Sequence, residues 1–150
     1  LYAHHFPEKV HRLITWAAIG AAKTPWGKWT EERMQTWQSE GVAYYYNGRT
    51  NQQLPLYYQL YEDYIAHQSY LDIPHAAAHI NQPWLIAHGT ADEAVSVTIA
   101  EAFHQHNPEH TTLYLPHTNH TFGRIHPHTS HQYDAVFEAL LEKTIAFIQA

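Results

Sequence analysis

Two short stretches of the chain are apolar at odd and even positions alike. RLITWAAIG (12–20) runs to a glycine, and PWLIAHG (83–89) enters from a proline and leaves at a glycine. A strand covered on both faces shows this double parity, so both stretches predict buried strands. TTLYLP (111–116) is rich in strand-forming residues and is stopped by Pro116, which makes it the third.

Between and after these stretches the period changes to that of a helix. Thr30 stands where an N-cap would, with Glu31 and Glu32 in the following turn and Gly41 as a stop. A second helix is predicted from about Leu56 to Gln68, since Tyr57, Leu60, Tyr61, Tyr64 and Ile65 recur at 3–4 spacing. Thr98 and Glu101 have capping-box spacing ahead of a stripe of Ile99, Ala102, Phe103 and His106. The clearest amphipathic helix carries Tyr133, Val136, Phe137, Leu140, Leu141, Thr144, Ile145 and Ile148. Strands alternating with helices predict an α/β fold on a parallel sheet. Residues 21–82 are too long for a plain crossover and read as a helical insertion. Its aromatic content (Trp26, Trp29, Trp37 and a run of tyrosines from Tyr44 to Tyr70) suits a small core of its own.

Composition narrows the function classes. One hundred and fifty residues, 45% hydrophobic and 15% charged, are about one globular domain. A net charge of −6 gives no electrostatic reason to bind nucleic acid or an anionic membrane. With no cysteine, disulfides and thiolate metal sites are excluded. No run reaches the ~18 apolar residues of a membrane span. Leu1 stands inside a structured-looking pattern with no initiator Met and no charged leader, so the start reads as a cut.

The chemistry lies at the exits of the second and third strands. Ligands of open α/β sheets sit beyond the carboxyl ends of the strands. Asp92 follows the strand ending at Gly89, and His120 follows the strand ending at Pro116. If those strands are parallel neighbours, a carboxylate and an imidazole can meet there, although 28 residues separate them. That is the orienting half of a nucleophile–base–acid triad, in the order acid then histidine. Asp92 could instead close a turn or cap the next helix, and His117, His126, His128 and His131 compete with His120 in the same loop.

LIAHGTADEAV resembles the acid loop of the α/β-hydrolases, where a strand ends in His-Gly and the triad aspartate follows three residues later. LPHTNHTFG resembles their histidine loop, with His120 ahead of a small polar residue, an aromatic and a glycine. LYAHHFPEKVHRLITWAA is similar to the end of the helix after the nucleophile elbow, followed by the next strand. The resemblance is to the esterase, dienelactone-hydrolase and serine-aminopeptidase-like group. It implies the C-terminal part of a three-layer α/β-hydrolase fold: residues 1–20 and 83–150 in the core, and 21–82 as a helical, aromatic-rich cap that sets substrate choice.

It implies further a serine hydrolase acting on a carboxylic ester, or on an amide, through a Ser-His-Asp triad of which this chain holds Asp92 and His120. The Gly-x-Ser-x-Gly elbow is absent: Ser39, Ser69, Ser96 and Ser130 lack flanking glycines between a strand and a helix. The serine is therefore expected upstream of residue 1, and these 150 residues alone are expected to be inactive. No cofactor and no metal is implied. The expected partners are a small-molecule ester or amide and the N-terminal half of the same protein, in the cytoplasm, with a homo-oligomer left open. The alternative is a non-catalytic binding or scaffold protein on the same fold. Fifteen histidines invite a metal site, densest at His4-His5 and His126-Pro127-His128, but no HExxH motif occurs. His88 reads as a packed or backbone-bonded histidine, and Arg49 as an anion contact or a partner of Glu62 or Asp63.

Overall fold

The structure, a computed structural model, describes every residue except Lys23, Arg49, His126, His128, Ser130 and His131. The chain divides into two compact units, Leu1–Ala21 with Ile73–Ala150, and Ala22–Asp72.

The first unit is built on a parallel sheet of β1 (Leu13–Trp16), β4 (Trp84–Ala87) and β5 (Thr111–Tyr114), in the order β1-β4-β5. Leu13 is in register with Trp84, and Trp84 with Thr111. All four residues of β4 are buried, which is why WLIA needs no polar position. Alternate side chains of β4 feed two cores. Trp84 and Ile86 join Ala3, Ala77, Ile80, Ala100 and Phe103, from α1 (Tyr2–His5), α4 (Ile73–Ala78) and its exit, and α5 (Thr98–His106). Ala87 joins Ala17, Phe122 and Leu140 on the other face, against α6 (Ala135–Gln149).

The last helix begins after Asp134, whose carboxylate accepts the Phe137 N–H at 2.9 Å, and Tyr133 lies outside it. Its packed face runs through Phe137, Leu140, Leu141, Thr144 and Phe147, whereas Ile145 and Ile148 of the expected stripe are exposed. The capping box expected at Thr98 and Glu101 does not form. The helix starts one residue earlier than a Thr98 cap requires, so Thr98 lies in its first turn and its N–H is taken by the Ser96 hydroxyl at 3.4 Å.

The second unit contains α2 (Glu31–Glu40), an antiparallel ribbon of β2 (Val42–Asn47) and β3 (Gln52–Tyr57), and α3 (Gln59–Ala66). Thr30 caps α2 by accepting the Arg33 N–H, and Gly41 ends it in the left-handed region at φ 73°. Trp37 is the buried centre, ringed by Trp26, Trp29, Tyr58 and Tyr61, and its indole N–H donates to the Leu56 carbonyl at 2.7 Å.

Two features of this region differ from the sequence reading. The segment read as a helical insertion over 21–82 holds a hairpin as well as helices, and its compact part is Ala22–Asp72, with α4 lying among the helices that cover the sheet. The helix expected from Leu56 begins only at Gln59, because Leu56 and Tyr57 are paired with Ala43 and Val42 in the ribbon. The missed signal was VAYYYN followed by Gly48, a run of strand formers ending in the Asn-Gly pair that favours hairpin turns.

Candidate active site

The exits of β4 and β5 leave the sheet side by side and stay bonded to each other. Beyond the last strand residues, His88 N–H donates to the Tyr114 carbonyl at 3.0 Å, Thr90 N–H to Pro116 at 2.9 Å and Ala91 N–H to Thr118 at 3.0 Å. Gly89 is required by this closeness. A Cβ there would lie 2.2 Å from the Thr118 carbonyl oxygen and 2.7 Å from that of Asn119, inside van der Waals contact with backbone that has nowhere to go.

Asp92 hangs from the first loop, which turns through a bond from its N–H to the Gly89 carbonyl at 3.2 Å. One carboxylate oxygen, Oδ1, accepts the Ala94 and Val95 N–H groups at 2.9 and 2.8 Å. The other, Oδ2, meets His120 Nδ1 at 2.8 Å. The Asp92 side chain is 0% exposed and that of His120 37%, so the acid is sealed while the imidazole keeps a face to solvent. Burial alone would push the Asp92 carboxyl up. The Val95 N–H, the His120 ring, the Ala94 N–H and the positive charge available to His120 outweigh it, and the carboxyl sits below its usual range. The ionised form is the stable one.

His120 is held by a second compact turn. The Asn119 side-chain oxygen accepts from the Thr121 N–H and the Gly123 N–H, at 3.2 and 2.9 Å, while the Thr121 hydroxyl donates to the Arg124 carbonyl at 2.6 Å. Phe122 is pinned in the left-handed region at φ 53°, uncommon for a bulky residue, and its buried ring in the core under α6 holds it there. Gly123 follows at φ 77°, where a Cβ would meet the Asp134 carboxylate at 2.5 Å. The loop is thus nailed to the core two residues after its imidazole.

Of the sequence candidates, the structure brings Asp92 and His120 together. His117 is bonded elsewhere, with its Nδ1 3.0 Å from the Thr90 hydroxyl. The competitors His126, His128 and His131 lie outside the described residues, as does Arg49. His4 lies near His5, His75 and His79, yet among the described residues no three histidine or acidic side chains are placed to hold a metal ion. Sequence reasoning missed the contact of His88 with the carboxylate: its Nε2 lies 2.9 Å from the Val95 carbonyl and 3.1 Å from Asp92 Oδ2. The spacing HGxxD put the residue in view, but not its reach across the turn.

Chemically, a buried carboxylate bonded to one nitrogen of a half-exposed imidazole leaves the other ring nitrogen free of that bond. Such a unit can take a proton from a neighbouring hydroxyl and stabilise the resulting imidazolium.

No family pattern and no curated protein matches the sequence. Solved structures do. The chain is similar to a monoacylglycerol lipase from Paleococcus ferrophilus (14% identity, TM-score 0.57), with 97% of this chain aligned to 63% of that one. It is similar to the esterase domain of a Rhodothermus marinus protein (14% identity, TM-score 0.53; 97% of this chain, 54% of that one). A meta-cleavage product hydrolase from Pseudomonas fluorescens also matches, at 14% identity and TM-score 0.52, over 98% of this chain and 58% of that one. The chain therefore spans little more than half the length of the structures it resembles. In its architecture it is an α/β-hydrolase fold.

Proposed function

We propose that this chain contributes the acid and the base of a serine hydrolase that cleaves carboxylic esters. The observation that carries the reading is the 2.8 Å contact between Asp92 Oδ2 and His120 Nδ1, between the two loops that leave neighbouring strands. A serine from residues outside these 150 attacks the ester carbonyl. His120 Nε2 takes the serine proton, then delivers it to the departing alcohol. Water repeats the cycle against the acyl-enzyme, with His120 again as base. Asp92 keeps the hydrogen of His120 on Nδ1, so that Nε2 presents its lone pair, and steadies the imidazolium. The esterase and lipase folds among the structural neighbours support the choice of an acyl substrate.

The test uses the full-length protein and a serine-directed fluorophosphonate. Labelling is expected in the wild type, with His120→Ala slowing it by about 10²–10⁴-fold and Asp92→Asn by a similar factor. Labelling that His120→Ala leaves unchanged overturns the triad. A wild-type protein that takes no label favours the non-catalytic alternative.

A further inference from the structure

We infer that His88 is a positioning residue for the Asp92–His120 pair, which it locks by bonding the far end of the acid's loop while its ring packs against the carboxylate. The inference rests on the reading of that pair as acid and base.

A carbonyl oxygen can only accept, so the 2.9 Å contact with the Val95 carbonyl requires the hydrogen of His88 to be on Nε2. The same nitrogen lies 3.1 Å from Asp92 Oδ2, so the ring packs against the carboxylate while its hydrogen goes to Val95. Oδ2 thus faces two imidazole nitrogens, from His88 and His120, while Oδ1 faces two backbone N–H groups, from Ala94 and Val95. Three donors hold the carboxylate, the Ala94 and Val95 N–H groups on Oδ1 and His120 on Oδ2, and the His88 ring closes the remaining side of Oδ2.

Burial separates the two histidines. The His88 side chain is 1% exposed and that of Asp92 0%, so no water can stand in for a lost N–H and His88 cannot reach a substrate. His120 is 37% exposed. His88 is also anchored at its own backbone, directly after β4, through the 3.0 Å bond to the Tyr114 carbonyl. The ring therefore ties the strand end to residues 92 and 95 together, closing the loop that carries the acid. Without that N–H the Val95 carbonyl is left unpaired in a dry site, and Oδ2 keeps His120 alone. The loop then gains freedom where the pair needs it fixed.

The experiment is imidazole nitrogen NMR on the full-length protein labelled at histidine, at about pH 8, where neutral rings report their tautomer. The wild type should show the hydrogen on Nε2 of His88 and on Nδ1 of His120. His88→Phe fills the ring volume without a donor, and should cut the Nδ1–H fraction of His120 at least about twofold. His88→Gln places an amide N–H at nearly the same reach, and should restore it. His88→Asn, a bond too short, should not. If the phenylalanine variant does not fold, the contrast between Gln and Asn decides, and identical His120 spectra in those two overturn the proposal. A wild-type His88 with its hydrogen on Nδ1 overturns it without any variant. Asp92→Asn separates the two levels of argument. If it abolishes the Nδ1–H of His120 while every His88 variant leaves it intact, the acid–base pair stands and the role of His88 falls. If Asp92→Asn changes nothing, the pair itself falls.

Discussion

At the scale of single residues, two positions decide whether the acid meets the base. Gly89 admits the second loop against the first, and the 2.2 Å approach of a Cβ to the Thr118 carbonyl oxygen leaves no soft neighbour to yield. Gly89→Ala should therefore cost about 1–3 kcal/mol, read as a fall in unfolding temperature, and should draw His120 away from Asp92. An alanine variant of unchanged stability would show that the loops are not seated as described. Asp92 carries a pH dependence. Its carboxyl lies below the ordinary value of 3.8 in the folded protein, so the folded state prefers it ionised. The stabilisation is complete above that value and drains away as pH falls through the lower folded value. Thermal unfolding of wild type and Asp92→Asn should show a gap that is steady from neutral pH to about 5 and narrows below about 4. A gap that widens in acid contradicts the ionised, donor-ringed carboxylate.

Among the elements, α1 is held to α4 partly through rings. His4 packs edge-on against His75 with centroids 5.4 Å apart and lies 6.0 Å from His79. Desolvation, and then the neighbouring His5, His75 and His79, hold the His4 imidazole below its usual 6.5. A histidine lowered in the folded state stabilises it only while neutral, so the contact is intact above about 6.5 and weakens as acid protonates the ring. Hydrogen exchange in residues 2–6 should quicken on going from pH 7.5 to about 5.5, and His4→Phe should flatten that response. Equal acceleration in the phenylalanine variant places the cause elsewhere.

The elements also show what a linear pattern can and cannot carry. β4 was legible because a strand buried on both faces needs apolar residues at every position, and WLIA has them. Asp92 and His120 were legible because each follows one of two neighbouring parallel strands within a few residues. The β2–β3 ribbon was obscured by Tyr57, Tyr61 and Tyr64, whose helical spacing continues across a real boundary: Tyr57 belongs to the strand and the other two to α3. His88 reads as core from its neighbours alone, since its contact with Asp92 depends on a turn that folds four residues back. The order of packing, not the order of residues, carries that information.

For the molecule as a whole, the sheet is open at β1. Among the described residues β1 pairs only with β4, and its other side presents backbone donors and acceptors next to partly buried apolar side chains. Such an edge is a template for another strand. Residues 1–150 expressed by themselves should associate in sedimentation experiments, and a monodisperse monomer across a wide concentration range would contradict this. No helix among the described residues is long and apolar enough to cross a membrane. The stitching between the exits of β4 and β5 has a last consequence. It runs through peptide groups from Thr90 to Pro116 and from Ala91 to Thr118, which every amino acid but proline can supply on the donor side. Side chains at those four positions can drift over generations, reshaping whatever surface a ligand meets, while the two chemical partners stay at the same separation.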